Sequence, residues 1–402
     1  MNILFICEEY PPGKNGGIGT MVSTLCNELI NQGHKAFVIG LYPHGYGQKN
    51  YEEKNGVKIW RLRYLSDFLF SDNGSTSSKT KFLYRCLKYS GILQLDTLYS
   101  INKMNRLIKK VIKQENIDII ECSDWNTSFQ NSFIKIRYAQ FTVPFIVKYN
   151  GTHSYFRKEL NLSLKNHVFK SEKNLLNYAT ALCSVSKYTG EVTNNLFEIN
   201  KPVKILYNCI NLPVHKIETA PQKTIIFTGT LTLKKGILSL LKAWNEVTKI
   251  YPDVTLEIYG KGDKEPFLSV LSSEAIKTVY FKGHVSQQEL TTKLAGAIAA
   301  VFPSYSECFA LAPLEAMSVG CPVINTSRAS GKELVIDREN GLLIDPDDIQ
   351  GIAESIKLLI ENNSLRTKIA ENGRKTIYEK FNISHSVKEH IQFYQEVIQR
   401  KI

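Results

Sequence analysis

The chain has 402 residues, too many for one ordinary hydrophobic core and suited to two domains of roughly 200 residues each. Its 43% hydrophobic and 22% charged content is that of a globular chain rather than a disordered one, and no apolar run approaches the ~20 residues that a membrane-spanning helix needs. The net charge of +12 is uneven: residues 1–200 carry 25 Lys+Arg against 16 Asp+Glu and residues 201–402 carry 25 against 22, so an anionic partner is a matter for the first half.

The N-terminus, MNILFICEEYPP, has no basic stretch before its apolar run and no small-residue cleavage site after it. It reads as a first buried strand, Ile3–Cys7, rather than a secretory signal, and predicts a cytoplasmic protein. A loop follows, EEYPPGKNGGIGT, before a helix over about Ile18–Asn31. Gly13, Gly16, Gly17 and Gly19 let backbone approach a ligand closely, and a helix start favours anions; a purely structural turn explains the same glycines. A dinucleotide fingerprint does not fit, because the third glycine position is Val22 and no acid closes the second strand near Gly40.

Strands are predicted next at Ala36–Gly40, Val57–Trp60, Asp118–Glu121, Phe145–Lys148, Ala181–Ser184 and Lys204–Tyr207, with helical patterns between most of them. The polar segment Ser71–Thr80 reads as a loop. Residues 73–114 hold nine basic residues (Lys79, Lys81, Arg85, Lys88, Lys103, Arg106, Lys109, Lys110 and Lys113) against one acid, Asp96. Such a patch suits phospholipid, a lipid diphosphate or nucleic acid, and a solvated helix face is the plain alternative. The aromatic-rich stretch Trp60–Lys113 favours docking at an anionic membrane surface.

The aperiodic segment Asn208–Gln222 marks a break. Beyond it the rhythm repeats, with strands at Thr224–Thr228, Thr255–Tyr259, Val279–Lys282, Ala299–Phe302, Pro322–Asn325 and Gly341–Ile344. The expected fold is α/β, with two Rossmann-like, doubly wound domains over 1–210 and 211–383. A last helix, about 384–402, is expected to pack back onto the first domain. The eight cysteines (Cys7, Cys26, Cys86, Cys122, Cys183, Cys209, Cys308 and Cys321) form no C-x-x-C pair and read as reduced core residues.

Two segments of the second half carry chemistry. FTGTLTLKKGI runs from a strand into a helix starting near Ile237, and puts Lys234 and Lys235 at the helix entry, where cations and amides together make a diphosphate clamp. It is not a Walker A loop, and a basic surface turn is the plain alternative. PSYSECFALAPLEAMSVGCPVI places Glu307 on a loop beyond a buried strand and Glu315 in the small-residue helix that follows, about Ala310–Val319, so the two carboxylates reach opposite ends of one extended ligand. A carboxylate accepting two hydroxyls reads sugar or ribose. Glu315 as a plain helix residue fits poorly among Ala312, Leu314, Ala316 and Met317, where an unpaired acid is costly. Asp345, Asp347 and Asp348 contain a formal D-x-D but precede a helix, and capping is the preferred reading. His385 and His390, five apart, make a poor metal pair.

PSYSECFALAPLEAMSVGCPVI resembles the E-x7-E signature of the family 4 retaining glycosyltransferases of GT-B fold, and FTGTLTLKKG resembles their G-R-L-x3-K-G loop. The GG loop, DIIECSDW, Asn208, VTLEIYGKGD and VYFKGHV fall in the family's order. The resemblance spans nearly the whole chain, most specifically its C-terminal half. It implies a second domain that binds a nucleoside-diphosphate sugar, a first domain that binds the acceptor, and a cleft between them. It implies that Glu307 contacts sugar hydroxyls, Glu315 the ribose, and Lys235 the diphosphate, helped by amides of Gly17, Ala310 and Leu311. Gly283 and His284 lie where the nucleobase is read, and His153 where the first domain faces the donor sugar; alone, His153 reads as a satisfied loop histidine. Gly16, Thr230, Lys234 and Phe309 complete the donor set. Two positions depart from the pattern. The family's arginine is Thr230, which removes a bidentate phosphate donor and leaves Lys234 as its candidate substitute. The usual glycine after Phe309 is Ala310, which narrows the sugar pocket.

The expected activity is transfer of a hexosyl unit with retention, from a UDP-sugar before a GDP-sugar, to a glycan or lipid-linked acceptor in surface polysaccharide or glycolipid assembly, with no metal or other cofactor and no nucleic-acid partner. Transfer to a small soluble acceptor is the alternative. A dehydrogenase lacks its fingerprint, and a non-catalytic membrane- or nucleic-acid-binding protein leaves the carboxylate pair unexplained.

Overall fold

Every residue from Ile3 to Ile6 is buried, as a strand covered on both faces by helices must be. This run lies in β1 (Asn2–Ile6) of the computed structural model, which describes residues 1–12, 16–42, 49–65, 86, 87, 89–131, 138–213, 217 and 219–400. Gly13, the segment 71–80 and the basic residues Lys79, Lys81, Arg85 and Lys88 lie outside the described residues. The chain divides into two compact units, Met1–Val185 with Thr189–Leu206 and Val387–Ile402, and Ser186–Tyr188 with Tyr207–Ser386.

The first unit adds β2 (Lys35–Tyr42), β3 (Tyr51–Lys54), β4 (Val57–Arg63), β5 (Ile119–Ser123), β6 (Phe145–Tyr149), β7 (Ala181–Ser184) and β8 (Val203–Ile205). Their order is β3-β4-β2-β1-β5-β6-β7-β8. All of these pairs are parallel except β3–β4. That hairpin turns through Asn55-Gly56, both at positive φ (50° and 78°), a two-residue turn whose twist matches paired strands. The helix Ile92–Gln114 buries Ile101, Met104, Ile108 and Val111 against Phe37, Ile39 and Ile120 of the sheet. From Val387 onward the last helix, Ile383–Gln399, belongs to this unit. There Tyr394 donates its hydroxyl to Glu121 (2.6 Å) and His390 Nε2 meets Lys148 Nζ (3.1 Å), all buried.

The second unit holds β9 (Thr224–Thr228), β10 (Thr255–Tyr259), β11 (Val279–Gly283), β12 (Ala299–Phe302), β13 (Val323–Thr326) and β14 (Leu342–Ile344). They are ordered β11-β10-β9-β12-β13-β14 and all parallel. Ile225, Phe227, Leu256, Val301 and Ile324 form its core with Trp244 and Leu240 of the helix Ile237–Thr248. In each unit the winding direction reverses once, between β1 and β5 and between β9 and β12, so a crevice opens at the carboxyl ends of those strands, where ligands of such sheets bind. The doubly wound α/β architecture is therefore the expected one, with strand ends shifted by at most three residues from the sequence reading. β3 was not anticipated.

All eight cysteines are free thiols; seven are buried and Cys86 is exposed, so that residue departs from the expected core position. Among the described residues no helix is long and apolar enough to cross a membrane.

Candidate functional site

The reversal point of the second unit is built from the loops after β9 and β12. The first loop leaves exposed Thr230, forms a single 3-10 turn at Leu233–Lys235, and enters the helix Ile237–Thr248 through Gly236. Gly236 has φ 71°, and a Cβ there would stand 1.8 Å from the Pro303 carbonyl oxygen. Only glycine permits this approach. It lays the β9 loop on the β12 loop, and Tyr305 N–H donates to the Lys234 carbonyl (2.8 Å).

This contact brings the Lys235 ammonium onto the Glu307 carboxylate. The pair is sheltered, with side chains 26% and 15% exposed. Burial alone would raise the Glu307 carboxyl, but the Lys235 and Lys234 ammoniums and the hydrogen bonds from Lys235 and Ser304 hold it below the usual carboxylate range. The Lys234 ammonium is pushed down, by burial first and by Lys235 in the same sense, against the pull of Glu307 and Cys308. Two cations thus face one anion in a half-buried crevice, an electrostatic setting that favours a further anionic ligand.

Beyond Glu307 the chain is pinned by Ser330 Oγ on the Glu307 carbonyl (3.3 Å) and by Asn208 Nδ2 on the Phe309 carbonyl (2.8 Å). Phe309 is buried between Tyr207 and Phe381, with ring centroids 5.0 and 5.3 Å away. Ala310 then caps the helix Leu311–Ser318 with no side-chain acceptor. Pro313 has no N–H, so the amides of Leu311 and Ala312 carry the positive end of this helix. Ser306 is fully buried and its hydroxyl has no partner among the described residues. Glu315, half-buried on this helix, has its carboxyl raised by burial, with a hydrogen bond from Gln287 opposing.

Gly283 ends β11 with φ 71°, its carbonyl accepting from Gly260 N–H (2.7 Å), while exposed His284 follows. Three residues that the sequence reading passed over, Arg328, Tyr305 and Ser239, brace this rim with Asp345 and Asp347. Arg328 donates to Asp345 (2.5 and 3.1 Å) and Asp347 (2.6 Å) and lies 5.4 Å over the Tyr305 ring. Tyr305 in turn reaches Asp347 (2.9 Å) and Ser239 (3.1 Å). Asp348 caps the helix Ile349–Glu361 through Gly351 N–H (2.8 Å). The D-x-D is thus a clasp and a cap. Among the described residues no group of three His, Cys, Asp or Glu could hold a metal ion.

Gly16, Gly17 and His153 lie in the first unit. Gly16 caps the helix Gly17–Asn31, and its N–H donates to Glu9 (2.5 Å). His153 opens the short helix His153–Glu159, which Thr152 caps. Its Nε2 is buried with no partner among the described residues, and the imidazole is lowered by burial first, then by Lys165, Arg157 and His167. On the helix Ile92–Gln114, Lys103, Arg106, Lys109, Lys110 and Lys113 are exposed. So are Ile92, Leu95 and Tyr99 in its first two turns. Asp96 is buried and accepts from Leu65 N–H and Ser100.

Comparison with known proteins adds the following. The profile described as Glycosyltransferase Family 4 matches residues 15–213, and that described as Glycosyl transferases group 1 matches residues 214–376. The chain is 26% identical to an uncharacterised glycosyltransferase of Methanocaldococcus jannaschii, over 98% of each sequence. It is 30% identical to the lipopolysaccharide core biosynthesis glycosyltransferase LpsE of Rhizobium meliloti, over 41% of this chain and 48% of that one. Among solved structures, the sucrose-phosphate synthase of Thermosynechococcus elongatus superposes with TM-score 0.77 at 19% identity, over 99% of both chains. The Anabaena protein HepE in complex with UDP superposes with TM-score 0.69 at 16% identity, over 98% of this chain and 100% of that one.

Proposed function

Since the chain belongs to the family 4, group 1 glycosyltransferases, we propose that it moves a hexosyl unit from a UDP-sugar to an acceptor with retention of configuration. The observation that carries this reading is the sheltered Lys235–Glu307 pair beside the uncapped start of the Leu311–Ser318 helix, at the reversal point of the second sheet. HepE, a structural neighbour, was solved with UDP, which supports uridine as the base.

In this scheme Glu307 accepts hydrogen bonds from sugar hydroxyls and Glu315 from the ribose. The diphosphate lies against Lys235, Lys234 and the amides of Ala310 and Leu311. Phe309 anchors that turn, Thr230 borders the phosphates, and Gly283 and His284 meet the base. Negative charge grows on the leaving diphosphate as the glycosidic bond breaks, so fixed cations and helix amides there lower the barrier. The departing phosphate takes the acceptor's proton on the same face, and His153 supports the donor sugar. The positive charge comes from the chain itself, so no metal is required.

The acceptor is a glycan or lipid-linked glycan in cell-surface assembly, met at the cytoplasmic face of a membrane. Similarity to a lipopolysaccharide glycosyltransferase supports this, as does the solvent face of the helix Ile92–Gln114, with three apolar residues, five cations and no exposed acid. Sedimentation with anionic liposomes at low salt, lost at high salt, is expected; no sedimentation would select a soluble acceptor.

The deciding experiment is a thermal-shift panel of UDP, GDP, ADP, CMP and NAD without added metal. UDP is expected to raise the melting temperature, since a ligand of the native state stabilises it. A shift with NAD alone, or with no diphosphate, would refute the donor site.

A further inference from the structure

Residues Asn150–Ser154 join β6 to the helix that His153 opens, and four of their backbone amides end on two side chains. Asp124, just after β5, accepts from Asn150 N–H at Oδ1 (2.8 Å) and Gly151 N–H at Oδ2 (3.2 Å). Glu172, in the helix Asn166–Tyr178, accepts from His153 N–H at Oε1 (2.8 Å) and Ser154 N–H at Oε2 (3.2 Å). Thr152, between these pairs, turns its hydroxyl to Tyr155 N–H (3.0 Å). Gly151 has φ 94°, so the chain bends into this cradle where a side chain would strain it.

Both carboxyls are buried, at 0% and 2% exposure, and Glu172 raises Asp124 further. Neither pairs with Lys or Arg among the described residues. Burying two acids together, each pushed above the usual carboxylate range by desolvation, is a costly way to hold a loop. A carboxyl group, however, offers an acceptor at each of its two oxygens, whereas Asn or Gln would turn an amino group against one of the amides. The ring that this loop carries keeps an unused nitrogen: His153 Nε2 is buried without a partner among the described residues, and the imidazole lies 6.4 Å from the ring of Trp125, the neighbour of Asp124.

We propose that Asp124 and Glu172 are positioning residues, which together fix the backbone from Asn150 to Ser154 and so aim the His153 imidazole for sugar transfer. This rests on the role given to His153 above.

The test compares Asp124→Asn, Glu172→Gln and His153→Ala, each first shown to melt cooperatively. Glu172→Asp, which keeps the carboxyl group but withdraws it by one methylene, serves if Glu172→Gln does not fold. In histidine-labelled protein the NMR signal of the His153 ring, assigned through His153→Ala, is expected to move or broaden in the Asp124 and Glu172 variants. The signals of His284 and His385 in the second unit are expected to stay in place. With UDP-glucose or UDP-N-acetylglucosamine, whichever the wild type turns over, kcat is expected to fall roughly tenfold to a hundredfold, the scale of a slightly misplaced group. KM and the UDP thermal shift are expected to stay within about twofold of the wild type, and the losses to vanish in a His153→Ala background, as for residues acting through one another. An unmoved ring signal with unchanged kcat in folded variants, or losses that add in full to that of His153→Ala, would overturn the proposal. If His153→Ala itself keeps wild-type turnover, the role given to His153 fails. If it loses turnover while the folded Asp124 and Glu172 variants keep theirs, the cradle alone fails.

Discussion

Lys235 and Glu307 satisfy each other, and Lys234 adds its field to the same carboxylate. Charge-assisted hydrogen bonds to a diphosphate contribute about 1.5–3 kcal/mol each. Lys235→Ala is therefore expected to weaken UDP binding on the order of tenfold to a hundredfold by titration calorimetry, and an unchanged affinity would remove Lys235 from the clamp. Glu307→Gln is expected to abolish transfer while the protein still melts cooperatively and still binds UDP, because the amide keeps the shape but loses the double acceptor that sugar hydroxyls need. The departure at Thr230 is exposed, while Lys234 sits half-buried beside Glu307, a placement consistent with Lys234 supplying charge that the family draws from arginine.

The loops after β9 and β12 are held together less by side chains than by the space that a missing Cβ leaves. Gly236 touches the Pro303 carbonyl at a positive φ, so Gly236→Ala meets both a steric and a conformational penalty. It is expected to cost about 1–3 kcal/mol, read as a lowered urea midpoint, and to weaken UDP binding because Lys235 precedes it directly. Wild-type stability and affinity would mean that the loops relax freely. The KKG sequence announced a turn, but the reason for its glycine lies 67 residues away in Pro303. In the same way Asn55-Gly56 is a short-range hairpin signal. The sequence reading missed β3 because the strand is short and polar, with no alternation to mark it.

For the molecule as a whole, stability against pH is set by carboxyls of opposite tendency. Burial pushes Glu8 up to about 7, Asp124 to about 8 and Glu172 to about 7, all in the first unit. Each stays protonated in the folded state where the unfolded chain has already ionised. Their contribution is full below about pH 4 and is lost as pH rises through about 7–8. Glu307 has the opposite sign: its lowered pKa contributes above about pH 4.5 and is lost on acidification. The melting temperature is therefore expected to be higher at pH 5.5 than at pH 8, and Glu8→Gln is expected to flatten that slope. A melting temperature that rises from pH 5.5 to 8 would contradict the sign.

Local pattern was enough to establish the rhythm of short apolar strands and amphipathic helices, repeated twice, and the family itself, whose E-x7-E segment and K-G loop are contiguous in the chain. Apolar periodicity and turn residues act over a few positions, so a sequence displays them directly. Only the tertiary structure decided what Asp345, Asp347, Asp124 and Glu172 do. Arg328 clasps two acids 17 and 19 residues away, and the two buried carboxyls of the first unit hold amides 18 to 27 residues away. In a sequence such acids look like solvated charges or metal ligands. Their partners are chosen by the order of strands in the sheet, which brings together loops that the chain keeps apart.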